Sequence, residues 1–134
     1  MAACILIGMA YHRRMTFSRT DVDKLLEECK KEGFPLSLRG ADLTQIDLSG
    51  CDLSGADLKG AVLTGAILRE ANLSGADLRE ADMEGADLED ADLSDALLSD
   101  AEVAGASFRG ATLVGAELED VNFDEAILEG AQFF

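Results

Sequence analysis

Residues 56–75 read ADLKG AVLTG AILRE ANLSG, four five-residue units with nothing added or lost between them. Leucine stands at 58, 63, 68 and 73, and alanine two residues earlier at 56, 61, 66 and 71. The phase runs on in both directions. Every fifth residue from 38 to 133 forms one column: Leu38, Leu43, Leu48, Leu53, Leu58, Leu63, Leu68, Leu73, Leu78, Met83, Leu88, Leu93, Leu98, Val103, Phe108, Leu113, Leu118, Phe123, Leu128 and Phe133. Two residues ahead of these, from 41 to 131, sixteen of nineteen positions are alanine, the exceptions being Ile46, Cys51 and Val121. Eleven of the thirteen glycines share a third phase, from Gly40 to Gly130. A repeat this regular decides the architecture before any local propensity does.

A five-residue period fits neither regular element. On an α-helix, successive leucines would stand about 140° apart and wander around the cylinder. On a flat strand, every second leucine would point to the opposite face. The chain must bend once per unit, with Leu and the preceding Ala inward and three positions outward. A chain that keeps turning one way coils, and the coils stack to bury the leucine column. The expected fold class is an all-β solenoid.

Units such as Ala56-Asp57-Leu58-Lys59-Gly60, Ala71-Asn72-Leu73-Ser74-Gly75 and Ala91-Asp92-Leu93-Ser94-Asp95 resemble the A-(D/N)-L-x-x signature of the pentapeptide-repeat family. The resemblance covers residues 36–134. It implies a right-handed quadrilateral β-helix with four pentads per coil, so twenty pentads make about five coils. At about 4.8 Å per stacked layer, such a rod is about 24 Å long.

The chain before the repeat reads differently. Residues 20–33 are expected to form a short capping helix, with Thr20 as N-cap and Asp23 at N3. Val22, Leu25, Leu26 and Cys29 make one apolar stripe to lie across the first coil, with Phe34 assisting, and Gly33 is placed to end the helix. Residues 1–19 form an N-terminal arm, giving a single domain of arm, cap and rod. The apolar run Cys4–Ala10 is followed by His12-Arg13-Arg14 and is not expected to act as a signal peptide. Three cysteines without metal-like spacing fit a reducing, cytoplasmic setting.

Columns twenty residues apart describe the expected outer surface. One reads Arg69, Glu89, Arg109, Glu129, an alternating salt-bridge ladder. Asp57 with Asp77, and Asp82 with Glu102, stack like charges and raise the question of a shifted pKa or a weakly held cation. At the C-terminal end Phe108, Phe123, Phe133 and Phe134 cluster, and no helix follows to cover them. Two readings stay open there: a last coil plugged by its own large side chains, or a homodimer through Val114, Phe133 and Phe134.

Little of this suggests chemistry. The one histidine, His12, lies outside the repeat, the glycines are turn elements, and a Leu/Ala bore leaves no room for a small molecule. No catalytic residue, cofactor, metal, small-molecule substrate or membrane contact is expected. Charge separates sharply along the chain. Residues 1–35 hold six basic and five acidic side chains, whereas 36–134 hold five basic and twenty-two acidic, within an overall net charge of -16. Direct binding to nucleic acid needs the opposite sign. The expected function is a non-enzymatic acidic scaffold for an unidentified protein partner. The resemblance implies one alternative, since some pentapeptide-repeat proteins act as DNA mimics on DNA gyrase and topoisomerase IV. The charge density of the rod, one per about 1.4 Å, is close to the one per about 1.7 Å of duplex DNA. Against the alternative, the repeat carries no loop insertion, and about 24 Å spans only about seven base pairs.

Overall fold

The computed structural model describes residues 16–134; the rest of the N-terminal arm, with Cys4–Ala10 and His12, lies outside the described residues. The local unit of the fold is a corner. The Ala41 N–H donates to the Leu38 carbonyl at 3.0 Å, and the residue before it, Gly40, has φ 69°. A positive φ at the third residue alone is the mark of a type II turn. The same bond recurs every five residues, through Ala71 to Leu68 at 3.1 Å and on to Ala131 to Leu128 at 3.0 Å. Seven corners use a residue other than glycine in this conformation: Gln45, Glu70, Glu80, Asp90, Asp95, Asp100 and Asp120. At Gly110 and Gly115 the left-handed conformation favours glycine, and a Cβ there would also press on the carboxylate of Asp90 or Asp95, which would have to turn aside.

Between corners the chain runs straight just long enough to pair. Parallel bridges join residues twenty apart, from Ser37 with Asp57 to Thr112 with Gln132. The ladder is tight: Leu48 N–H to Ile67 O is 2.7 Å and Ile67 N–H to Ile46 O is 2.8 Å. A twenty-residue register and a five-residue corner give four sides per turn. The sides are centred in turn on the columns that begin at Leu38, Leu43, Leu48 and Leu53. From Leu38 to Leu113 every central residue is at most 1% exposed, so the bore is closed to solvent. Each leucine buried there contributes about 1.5–3 kcal/mol.

The helix, α1, spans Arg19–Glu32. Its N-cap is Ser18 and not Thr20: the Ser18 hydroxyl accepts from Asp21 N–H at 3.1 Å, and Asp21 Oδ2 accepts from Ser18 N–H at 2.9 Å. The reason lies one residue earlier. Phe17 packs partly buried against the core, at the position where a hydrophobic residue fixes the entry to a capping box. Gly33 ends the helix in the left-handed region, with its N–H on the Cys29 carbonyl. Val22, Leu25 and Cys29 are buried in one cluster with the leucine column, and Leu26 packs against it partly exposed. Phe34 does not join them and stays 47% exposed, because the chain leaving Gly33 turns Leu36 inward instead, to 3%.

The regular register is lost once. On the second side, Gly105 N–H meets the Glu125 carbonyl at 3.1 Å, where the corresponding Gly85 meets Ala104, one residue earlier in the pattern. Glu102 and Asn122 form no bridge, although the pairs above them do. Two residues larger than the usual ones stand at this point, Val121 in the alanine phase and Phe123 in the central column after Val103. Phe123 packs edge-on between Phe108 and Phe133, with centroids 5.7 and 6.0 Å away.

Candidate interaction surfaces

Where the residue before a central one is aspartate or asparagine, it has a structural task. Asp42 Oδ1 accepts from the Thr44 backbone N–H at 3.1 Å and from its hydroxyl at 2.6 Å. The motif is an Asx turn, which bends the chain into the coming corner. Asp47, Asp52, Asp57, Asp77, Asp82, Asp87 and Asp92 accept from the N–H two residues on in the same way, and Asn72 and Asn122 do so without a charge. Hydrogen bonds from the following Thr or Ser hydroxyl, seconded by the backbone N–H, hold the carboxyls of Asp42, Asp47, Asp52 and Asp92 below the usual range. This role is missed when the aspartates are read only as surface charge; a serine or threonine two residues later signals it at Asp42, Asp47, Asp52 and Asp92.

The cations are spread between these carboxylates. Arg39 Nε reaches Asp57 at 2.9 Å, and Arg69 Nε makes the equivalent contact to Asp87. Arg79 grips its own side, through Nε to Asp77 Oδ1 at 2.9 Å and Nη2 to Asp77 Oδ2 at 2.6 Å. That guanidinium holds the Asp77 carboxyl below its ordinary range. The Asp57–Asp77 column is therefore interleaved with arginine, and among the described residues no cluster of His, Cys, Asp or Glu could hold a metal ion. In the expected ladder, Arg69 meets Glu89 at 3.3 Å and Arg109 meets Glu129 at 3.4 Å. Among the described residues no ion pair joins Glu89 to Arg109. These pairs are solvent-exposed and contribute under about 1 kcal/mol each.

The four sides differ in what they present. The second side carries Asp42, Asp82, Glu84, Glu102, Asp124 and Glu125 and no lysine or arginine. The fourth carries only Asp52, Asp92 and Asp95 beside Ser54, Ser74 and Ser94, then Val114 and Phe134. Val114 is 40% exposed and Phe134 fully so, while Phe133 beside it is partly buried. Ile67 and Ile127 stand exposed singly on the third side and need no explanation.

The two ends contrast. At the N-terminal end Thr16 bridges to Asp42, and the Arg19 guanidinium donates through Nη1 to the Asp47 and Ser49 carbonyls, both at 3.2 Å. Those carbonyls face away from the next coil and would otherwise lie bare. Beside α1 run two open clefts of about 240 and 450 Å³, the second lined by Arg19, Leu26, Lys30 and Cys51. Burial pushes the Cys51 thiol up, away from the reactive thiolate. At the other end Leu118, Phe123, Leu128 and Phe133 are only partly buried. Among the described residues no helix is long and apolar enough to cross a membrane.

Comparison with known proteins places this geometry. The profile described as pentapeptide repeats matches residues 37–75, 56–95 and 101–133, in eight copies. A pentapeptide repeat protein from the cyanobacterium Cyanothece 51142 is similar in structure, with a TM-score of 0.60 and 40% identity over 72% of this chain and 62% of that one. A pentapeptide repeat protein of the Arabidopsis thaliana thylakoid lumen has a TM-score of 0.54 and 38% identity, covering 63% of each chain. QnrB1, a plasmid-mediated fluoroquinolone resistance protein, shares the fold with a TM-score of 0.60 at 22% identity over 73% of this chain and 60% of that one. The chain thus spans about three-fifths of the length of these structures. No curated protein sequence matched.

Proposed function

The chain belongs to the pentapeptide-repeat family and has its right-handed quadrilateral β-helical fold; from that premise we propose that it is a non-enzymatic scaffold whose acidic sides engage a protein partner. The observation that carries this is the segregation of charge: residues 36–134 hold twenty-two acidic and five basic side chains, all outward, around a bore at most 1% exposed from Leu38 to Leu113. A closed bore leaves recognition to the outer surface. In this reading the rod comprises about five coils, α1 caps the first, and Cys29 and Cys51, buried as thiols, suit a reducing cytoplasm.

The test is capture on the immobilised protein followed by carboxylate-directed cross-linking. A specific partner cross-linked through outward positions is the expected result. Partners held no better than by a polyglutamate control would overturn the proposal.

The charge density favours one second reading, mimicry of DNA towards gyrase or topoisomerase IV. The uninterrupted phase of residues 36–134, with no loop between units, weighs against it, and the likeness to QnrB1 at 22% identity is one of fold. A supercoiling assay decides: gyrase activity unchanged at high protein excess eliminates the mimic.

A further inference from the structure

We infer that the third side is a face on which two copies of this chain pair, antiparallel, about a two-fold axis between the rungs of Leu88 and Phe108. The inference concerns a second copy and stands apart from the partner proposed above. Four rungs carry it, centred on Leu68, Leu88, Phe108 and Leu128. Parallel bridges join Ile67 to Asp87, Asp87 to Ser107 and Ser107 to Ile127 without a break. The outward side chains therefore stand in straight columns with a spacing of about 4.8 Å.

A two-fold contact sets residue i against j and j against i. With the axis along the strands, each column lies on its own copy read in reverse. The column after the central residues is Arg69, Glu89, Arg109, Glu129. Reversed, it sets Arg69 against Glu129 of the second copy and Glu89 against Arg109, so every rung meets its opposite charge. These side chains are 31–77% exposed and within reach of a partner. The column before the central residues is Ile67, Asp87, Ser107, Ile127, so isoleucine meets isoleucine and Asp87 meets a hydroxyl. The corner column is Glu70, Asp90, Gly110, Gly130, and each acid there faces a glycine. No carboxylate of the array faces another.

The register is specified twice. An axis through Leu88 or Phe108 would set Glu89 or Arg109 against itself. An axis one whole rung away keeps the charges matched but puts Ile67 against Asp87, or Ile127 against Ser107. Taken singly, Ile67 at 37% and Ile127 at 44% exposed are ordinary surface residues; their equal distance from one axis is what makes them a pair. That axis also falls at the gap in the ladder, where Glu89 and Arg109 of one chain form no ion pair among the described residues. The same operation on the first side sets Asp57 against Glu117, and on the second Asp82 against Glu102. On the fourth side it forms no ion pair.

The array is smaller than a stable interface requires, so the dimer is reversible and half formed at about 0.1–1 mM chain. Sedimentation equilibrium of the 134-residue chain up to about 1 mM reads it. Glu89→Arg and Arg109→Glu each place two like-charged pairs beside the axis and weaken the dimer by about tenfold or more, although they move the net charge in opposite directions. An equimolar mixture of the two single variants associates like wild type, because every rung is again opposed in sign; that recovery also shows both variants to be folded. A wild-type chain that stays monomeric up to about 1 mM would overturn the inference. So would a dimer that neither substitution weakens, which would place the contact elsewhere, as at Val114, Phe133 and Phe134. A mixture no tighter than the separate variants would refute the antiparallel register. None of these outcomes bears on the scaffold reading, which capture of a different protein tests.

Discussion

Leu97 and Leu98 are adjacent leucines on one side of the coil, and replacing each by alanine in turn measures what the bore contributes. Leu98 is 0% exposed, in the central column between Leu78 and Leu118, while Leu97 is half-buried on the outer surface. The backbone around both is pinned: Leu98 N–H to Glu117 O and Leu97 N–H to Ala76 O are each 2.9 Å. The site cannot close by strand movement, so the void left by Leu98→Ala persists. Losing three carbons costs about 2.4 kcal/mol in transfer, at about 0.8 kcal/mol each. A void of roughly 60 Å³ adds about 1.5 kcal/mol at about 24 cal/mol per Å³. The expected loss is about 4 kcal/mol for Leu98→Ala and about 1 kcal/mol or less for Leu97→Ala. Urea denaturation followed by far-UV circular dichroism reads both. Equal losses, or a Leu98→Ala cost under about 1.5 kcal/mol, would refute the closed and rigid bore.

Three other perturbations address the corners and the helix. Gly110→Ala places a Cβ on a residue at φ 69° and against the Asp90 carboxylate and should cost about 1–2 kcal/mol, whereas Glu70→Gly at φ 57° should be neutral or stabilising by up to about 1 kcal/mol in the same denaturation assay. The carboxyls of Asp42, Asp47, Asp52, Asp77 and Asp92 are depressed in the folded state. Their stabilisation is therefore complete above the unfolded value near pH 4 and is lost as pH falls through the lower folded values. Asp92→Asn should flatten that acid limb and keep its turn, as Asn72 does already; an acid titration by circular dichroism with an unchanged slope would contradict this. Ser18→Ala removes the capping hydroxyl and should cost about 1 kcal/mol, with fraying of the α1 amides in hydrogen exchange as the reading.

The period of five was legible because one residue type fills each inward phase, and sterics allow one way to bend such a chain. The start of α1 was less so. Ser18-x-x-Asp21 and Thr20-x-x-Asp23 are equally good capping patterns, and only tertiary packing of Phe17 separates them. Phe34 looks like core in sequence, but its fate depends on the exit angle from Gly33, which Leu36 settles by taking the first inward position. The slipped register at Gly105 was harder still to read. Phe123 keeps the phase faithfully, and only the hydrogen bond from Gly105 to Glu125 shows that the strand around it does not keep the register. On the ladder, Glu89 and Arg109 have the right spacing, but an arginine chooses among several carboxylates within reach. Arg69 takes both Asp87 and Glu89.

The acidity of the rod is not a single property. Of its twenty-two carboxylates, eight aspartates build Asx turns, so their presence follows from the corner and says little about a partner. Asn72 and Asn122 show that the turn itself needs no charge. The acids at left-handed corners are different. Asp tolerates that conformation, but Glu70 and Glu80 occupy it at φ 57° and 60°, where glycine would be less strained by about 1 kcal/mol. Glu80 recovers part of this through Lys59 at 3.4 Å, an exposed pair of small worth. Carboxylates kept where the backbone disfavours them belong to the part of the charge that folding does not account for. A search for the partner should begin from those positions: a surface that discriminates Glu70 and Glu80 from their amides reads the protein, whereas one that responds equally to the Asx aspartates reads only its net charge.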